Sequence, residues 1–266
     1  MMNSYSMTQL AASVAGALQA EAPREAAPSI PAVDQLVART LGGKADRVLI
    51  YNPDCIGHWF WQKYTELFLP VQAHTQLAVP VATVMPSVTP VCFGTMYTGA
   101  MPEVHGIRAY AKPVIRIDSL FDSLRRSGKK IALVAVANSS MAKIFAERDI
   151  DYFILEDDAA VTDKALELIA EDRYDLISVY NQEYDDMIHE HTPEAPEAMA
   201  AAKHHIRDFD RLATAVEAHW GVHDSLVVWA SDHGNHVDWD GHGNHGEFRE
   251  GDINVIHFYG TVPKHG

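Results

Sequence analysis

From Arg47 onward, short runs of apolar, largely β-branched residues alternate with stretches whose apolar positions recur at helical spacing. The runs Arg47–Asn52, Val81–Met85, Lys130–Val136, Tyr152–Leu155, Asp175–Tyr180, Leu226–Ala230 and Ile253–Phe258 predict strands. Between them, Phe60–Leu69, Ser119–Ser127, Met141–Arg148, Ala165–Glu171 and Glu197–His219 predict helices, with Asp118 and Gly128 suited to cap the second. This alternation is the signature of βαβ units, so the expected fold is α/β, a mostly parallel central sheet flanked by helices. Ahead of it, residues 1–44 read as an N-terminal helical extension: a helical segment Met7–Glu21, a Pro- and Ala-rich connector through Pro31, and a second helical stretch Val33–Leu41. Residues 45–266 form the one main domain, and no internal repeat or low-complexity tract divides it.

In an open α/β sheet the ligand crevice lies beyond the carboxyl ends of the strands. Three predicted strands run directly into aspartate-bearing loops there: Arg47–Asn52 into Asp54, Asp175–Tyr180 into Asp185, and Leu226–Ala230 into Asp232. One such aspartate is ordinarily a turn or helix cap. Three of them, two accompanied by histidine, point to one shared edge. Twelve of the 15 histidines lie from His189 onward, and the segment from Asp232 to Glu247 holds His233, His236, His242 and His245. His236 and His242 read as solvated loop residues. Imidazole and carboxylate together suit zinc or manganese, and the lack of cysteine ligands favours a catalytic site with exchangeable positions over a closed structural one.

Composition narrows the chemistry further. The 21 basic against 36 acidic side chains give a formal charge of −15, which argues against a nucleic-acid or anionic-membrane surface. An acidic enzyme acting on an anionic substrate must concentrate positive charge locally, and bound metal ions supply it. Cys55 and Cys92 are too few for a disulfide framework and form no Cys-x-x-Cys pattern, so both read as packed free thiols. The Ala-rich stretch Leu10–Leu18 makes a poor secretory signal, and no apolar run reaches the ~20 residues of a membrane span, so a cytoplasmic protein is expected.

At Met85-Pro-Ser-Val-Thr-Pro a strand gives way to a short helix, with Pro90 suited to the first helical position, Gly99 to the position past its end, and Thr89 therefore to the N-cap. An ordinary cap needs no further purpose. A hydroxyl there nevertheless lies at the positive end of a helix dipole beside free backbone N–H groups, where a metal can hold it as an alkoxide and the N–H groups can bind phosphoryl oxygens.

Taken in order, Asp54 after the first strand, Thr89 in Pro-Ser-Val-Thr-Pro, the Tyr-Thr-Gly-x-x-Pro-Glu-x-His-Gly-Ile run at 97–107, Asp185 with His189, Asp232-His233-Gly and the later His245 resemble nucleotide pyrophosphatase/phosphodiesterases, phosphonoacetate hydrolases and other enzymes of the alkaline-phosphatase superfamily. The resemblance covers roughly Arg47 to Phe258 and implies an alkaline-phosphatase-like fold. It also implies two divalent cations, zinc foremost and manganese as the alternative: Asp54, Thr89, Asp232 and His233 would hold one, and Asp185, His189 and His245 the other. Three carboxylates and a threonine alkoxide balance two divalent charges, leaving a neutral site for a small anionic phosphorylated substrate. Thr89 would be the nucleophile of a phosphate ester, phosphodiester or phosphonate hydrolase working through a covalent phosphoryl-enzyme intermediate.

The chain also departs from these relatives. Where they often carry an asparagine that holds a phosphoryl oxygen, three residues after His-Gly-Ile, this chain has Tyr110, and Tyr110 or Arg108 is the expected substitute donor. Pro90 follows Thr89 where nucleotide-cleaving relatives place an aromatic residue, although Tyr180 matches another aromatic of that pocket. The short interval from His233 to His245 is like that of phosphopentomutase-like members, but the Thr89–Asp185 interval leaves no room for their cap domain. Hydrolysis is therefore expected ahead of phosphomutase or phosphotransferase chemistry. A non-catalytic metal- or ligand-binding relative is the further alternative, supported by Tyr110. No Cys/Ser-x-Pro-x-Arg motif of the sulfatases is present.

Overall fold

The computed structural model describes residues 2–265. Its central sheet has eight strands: β1 (Tyr5–Ser6), β2 (Arg47–Pro53), β3 (Leu77–Ala82), β4 (Ile131–Val136), β5 (Asp151–Leu155), β6 (Leu176–Asn181), β7 (Ser225–Ala230) and β10 (Asn254–Val262), in the order β1-β3-β10-β7-β2-β6-β4-β5. Two short strands, β8 (His236–Val237) and β9 (Gly243–Asn244), form a separate hairpin. The large sheet is mostly parallel, as the pattern predicts; only β10 runs antiparallel, to both β3 and β7.

Both faces of this sheet are covered, which is why its inner strands read as continuous apolar runs. Along β2 the side chains alternate: Val48 and Ile50 enter one core, Leu49 and Tyr51 the other. The first core packs the sheet against helix Thr89–Thr98, helix Leu120–Arg126 and the N-terminal helices Leu10–Ala17 and Pro31–Leu41. The second packs it against helices Asp158–Glu171 and Pro196–His219. Residues before Arg47 are built into the body of the fold: β1 pairs with β3, and Met7, Leu10, Val14 and Val33 are fully buried.

Several expected boundaries move for identifiable reasons. The strand expected at Val81–Met85 occupies Leu77–Ala82, because β10 begins at Asn254 opposite Ala82 and offers no partner beyond it. The expected helix Phe60–Leu69 breaks into His58–Lys63, a 3-10 turn Thr65–Phe68 and a helix Leu69–Ala73; Pro70 cannot donate to a preceding turn and so starts a new one. Ser119, not Asp118, caps helix Leu120–Arg126 through a reciprocal box with Asp122, while Asp118 pairs with Arg126. Asp157 caps a longer helix than expected, Asp158–Glu171. Val88, not Thr89, is the N-cap of helix Thr89–Thr98; Thr89 is its first residue and Pro90 its second, where the missing N–H is still one of the helix's unpaired donors. No helix of the described residues is long and apolar enough to cross a membrane.

Candidate metal centre

Strand β2 lies between β7 and β6 and is parallel to both, so the carboxyl ends of these three strands leave the same edge side by side. Neighbouring strands are only ~4.8 Å apart. Asp54 follows β2 directly, Asp232 follows β7 by two residues, and Asp185 lies in the first turn of helix Glu183–Glu190 beyond β6. The structure thus brings Asp54, Asp185 and Asp232 to one place. His189, one helical turn after Asp185, faces it, with Nε2 3.6 Å from Asp185 Oδ1. His245, returning from the β8–β9 hairpin, puts Nε2 3.3 Å from the same oxygen.

The result is two Asp/His triads, Asp54–Asp232–His233 and Asp185–His189–His245, each with its donor atoms within 4.8 Å of one another, and Cys55, Asp185 and His233 form a third such group across them. They are joined by the stacked rings of His233 and His245, whose centroids are 4.0 Å apart. Asp54, Asp232 and His233 are essentially inaccessible to solvent. Glycine at 234 follows from this crowding, since a Cβ there would meet the Gly251 carbonyl oxygen at 1.9 Å.

Hydrogen bonding does not account for these contacts. Asp54 Oδ1, Asp232 Oδ2 and Asp185 Oδ1 are buried and make no hydrogen bond. The first two lie 3.4 Å and 3.3 Å from His233 Nε2, which is close but not in line. His233 Nδ1 lies 3.1 Å from the Gly234 carbonyl oxygen and His245 Nδ1 3.0 Å from that of Ser87, so both rings donate through Nδ1, and in His233, which burial holds neutral, Nε2 presents a lone pair. Lone pairs facing carboxylate oxygens repel unless a cation lies between them. In a tetrahedral site with ligand bonds of 2.0–2.1 Å, neighbouring ligand atoms are roughly 3.3 Å apart, the spacing found here. The residues present therefore fit divalent cations, and the backbone carbonyls orient the rings as outer partners of metal-bound histidines do.

Without a cation the charges are strained in a telling way. Burial, reinforced by Asp232 and Asp185, pushes the Asp54 carboxyl well above the usual range, and burial raises Asp232 to about 7. Burial also opposes ionisation of Asp185, but the His189 and His245 imidazoles hold it well below its ordinary value. Burial holds His233 neutral. Tyr180, itself buried, donates its hydroxyl to Asp54 Oδ2 and so fixes the carboxylate's other face.

Thr89 closes on the first triad, its Oγ1 3.2 Å from His233 Nε2. Every residue of its helix is buried, and the 97–107 run holds that helix in place. Tyr97 bonds Asn52 and Ser178 of the sheet, Thr98 Oγ1 donates to the Gly94 carbonyl, and His105 packs against Gly94 while its Nε2 meets Thr95 Oγ1 at 3.0 Å.

In front of Thr89 lies a pocket of about 130 Å³ that includes Asp54, Asp185, Tyr180, Tyr110 and, unforeseen from the sequence, Lys112, Asn138 and Ser140. Asn138 and Ser140 follow the carboxyl end of β4, where the same edge rule applied to that strand would have found them. Lys112 lies in a loop with no such signal. Tyr110 reaches this pocket; Arg108 does not, its guanidinium instead donating to the Glu103 carbonyl at the exposed surface. His236 is not solvated as expected: buried Asp252 requires a partner and takes His236 Nδ1 at 2.7 Å, whereas the His242 side chain is about half exposed. Both cysteines are buried and free; Cys55, at φ 67°, donates its backbone N–H to Asp232. A larger hollow of about 460 Å³, walled by Asp158, Glu183, His204 and Arg207, contains none of the triad residues.

No protein-family sequence pattern matches the chain, and no curated protein is similar to it in sequence. Solved structures are similar in fold. Phosphonoacetate hydrolase from Sinorhizobium meliloti 1021, in complex with phosphonoformate, superposes with a TM-score of 0.56 at 16% identity over 74% of this chain and 59% of that one. Murine ectonucleotide pyrophosphatase/phosphodiesterase 5 does so with a TM-score of 0.56 at 19% identity over 71% and 57%. An inactive threonine-to-alanine variant of the murine enzyme, in complex with AMP, matches at 18% identity over the same shares. The chain spans under two-thirds of the length of each. The likeness shows an alkaline-phosphatase-like α/β fold with a mostly parallel central sheet, shared with these structural neighbours.

Proposed function

We propose that this protein is a metal-dependent hydrolase of a small phosphate ester, phosphodiester or phosphonate, with Thr89 as its nucleophile. The observation that carries the reading is the pair of triads, whose unpartnered carboxylate oxygens and imidazole nitrogens converge at ligand spacing beside the Thr89 hydroxyl. Asp54, Asp232 and His233, with Thr89, would hold one divalent cation, and Asp185, His189 and His245 the other; zinc is the first candidate and manganese the second. When bound, such ions supply positive charge that favours the threonine alkoxide and offsets charge on the phosphoryl and leaving oxygens.

The chain's own residues do the rest. Thr89 is the first residue of a buried helix, whose positive N-terminal dipole favours an anion. Attack forms the bond from Thr89 Oγ1 to phosphorus as the bond to the leaving group breaks. Water then attacks phosphorus, releasing the phosphoryl product and restoring the threonine. His233 Nε2, 3.2 Å from Thr89 Oγ1, orients the nucleophile, while Tyr180 steadies the Asp54 carboxylate that lines the same pocket.

The inactivity of the murine neighbour's threonine-to-alanine variant is consistent with a threonine of this kind at the centre of its reaction. Here the test is Thr89→Ala assayed against a panel of phosphate monoesters, diesters and phosphonates with zinc or manganese supplied. A turnover lower by a factor on the order of 10³ or more, with both metals retained, is expected, and Thr89→Ser should keep measurable activity. Near-normal turnover of Thr89→Ala with metals bound would reject the covalent route.

A further inference from the structure

The pocket in front of Thr89 is lined by Asp54, Asp185 and Asp186 and by a single cationic side chain, Lys112. That cation is held in place. Its Nζ donates to the Asn138 carbonyl oxygen at 3.1 Å and stands 5.4 Å from the centre of the Tyr110 ring. An ammonium has three donors, and the carbonyl takes one, so two remain for a ligand.

A phosphoryl group in transfer spreads its charge over three equatorial oxygens, and catalysis consists largely of meeting that charge with groups already in position. In a chain of formal charge −15, a lysine lining the same pocket as Thr89 is an unusual use of one of only 21 basic residues. Its tether suits it to hold an anion, because the carbonyl and the ring restrict a stem that would otherwise lose rotamer freedom on binding.

We propose that Lys112 binds the transferring phosphoryl group directly, its ammonium contacting a non-bridging oxygen that the protein, rather than a bound metal, must neutralise. Lys112 then serves as the donor in place of Tyr110 and Arg108, the residues expected there. Tyr110 becomes the platform that positions it. The inference rests on the hydrolase reading, and the experiment separates the two.

Inorganic phosphate is titrated by calorimetry into the metal-loaded wild type and into Lys112→Met, Lys112→Arg and Lys143→Met, with metal content measured for each. Lys112→Met keeps the apolar stem and removes the charge. Phosphate affinity should fall about 10- to 100-fold in this variant, the range expected for one charged hydrogen bond, with metal content unchanged. Lys112→Arg should recover part of the loss. Lys143→Met, which removes a neighbouring charge outside the pocket lining, should stay within about twofold of wild type, because an exposed charge acts weakly through solvent. If wild type binds phosphate only when metal-loaded and Lys112→Met binds equally well, Lys112 is merely part of the wall and the inference fails alone. An equal loss in Lys143→Met would assign the effect to the general field and overturn the contact. Absence of metal-dependent phosphate binding in wild type would remove the hydrolase reading and this inference with it.

Discussion

Stripping the metals should make the stability gap between loaded and empty protein grow steeply with pH. In the empty protein Asp232 titrates at about 7 against an ordinary 3.8, because burial penalises its charge, and Asp54 is displaced in the same direction. A carboxyl raised by folding contributes stability that is fully present below the unfolded value and is lost as pH rises through the folded value. For Asp232 that window is about pH 4 to 7, and the whole loss is on the order of 4 kcal/mol. In the loaded protein both carboxyls are already ionised, so metal binding displaces their protons. Each displaced proton adds about 1.4 kcal/mol per pH unit to the gap, so the Asp232 proton alone adds about 2 kcal/mol between pH 5.5 and 7, and Asp54, displaced in the same direction, adds to it.

For a chain of this size, 1 kcal/mol moves the melting temperature by about 2–4 °C, so the Asp232 proton alone should widen the gap by about 4–8 °C. Scanning calorimetry of chelator-treated and reloaded protein from pH 5.5 to 8.5 measures it. The comparison must be a difference. Buried neutral histidines, His205 at about 3 and His257 at about 4, have depressed values and take stability away from both forms as pH falls below 6.5. Being common to both forms, they cancel. A gap independent of pH, or one that shrinks towards alkaline pH, would refute the account of Asp54 and Asp232 as buried carboxyls poised for cations.

Two further outcomes follow from particular contacts. Tyr180→Phe removes the hydroxyl that orients Asp54 and should weaken metal retention about 10- to 100-fold in competition with a chelator, while lowering the stability of the empty protein by about 1–3 kcal/mol because Asp54 Oδ2 loses a buried partner; equal retention would make the tyrosine a packing residue only. Gly234→Ala forces a Cβ against the Gly251 carbonyl and should destabilise the fold by about 3 kcal/mol, read as a lower denaturant midpoint; a neutral result would mean that the Asp232–Asn235 turn yields more readily than its packing implies.

The sequence disclosed most where chemistry and strand position coincide. An aspartate immediately beyond an apolar run is visible in one dimension, and because β7, β2 and β6 are neighbours, three such aspartates met. Strand order was not visible: nothing in the Ile253–Phe258 run indicates that β10 inserts antiparallel between β3 and β7, since burial on both faces erases the alternation that would distinguish them. The part played by residues before Arg47 was hidden for a related reason. Helix Leu10–Ala17 is apolar on nearly every side, and β1 is two residues long. His236 looked like its solvated neighbour His242 because its partner Asp252 lies sixteen residues on, across the base of a hairpin no local pattern predicts.

Lys112 illustrates a different limit. Motif comparison directs attention to the position where a donor is missing, Tyr110, and so to its own side chain or the nearby Arg108 as replacement. The fold answers by turning Arg108 outward to Glu103 and standing a lysine two residues further along over the tyrosine ring. A pocket specifies where a charge must be, not which residue number brings it there. The same reasoning explains how a chain this acidic can take an anion at all. With the triads empty, every carboxylate that ionises opposes a phosphoryl group; two divalent charges held there would reverse the balance and leave the ammonium to act on a neutralised site. Phosphate affinity and metal occupancy are therefore two readings of one electrostatic arrangement, and by linkage each must strengthen the other by the same factor.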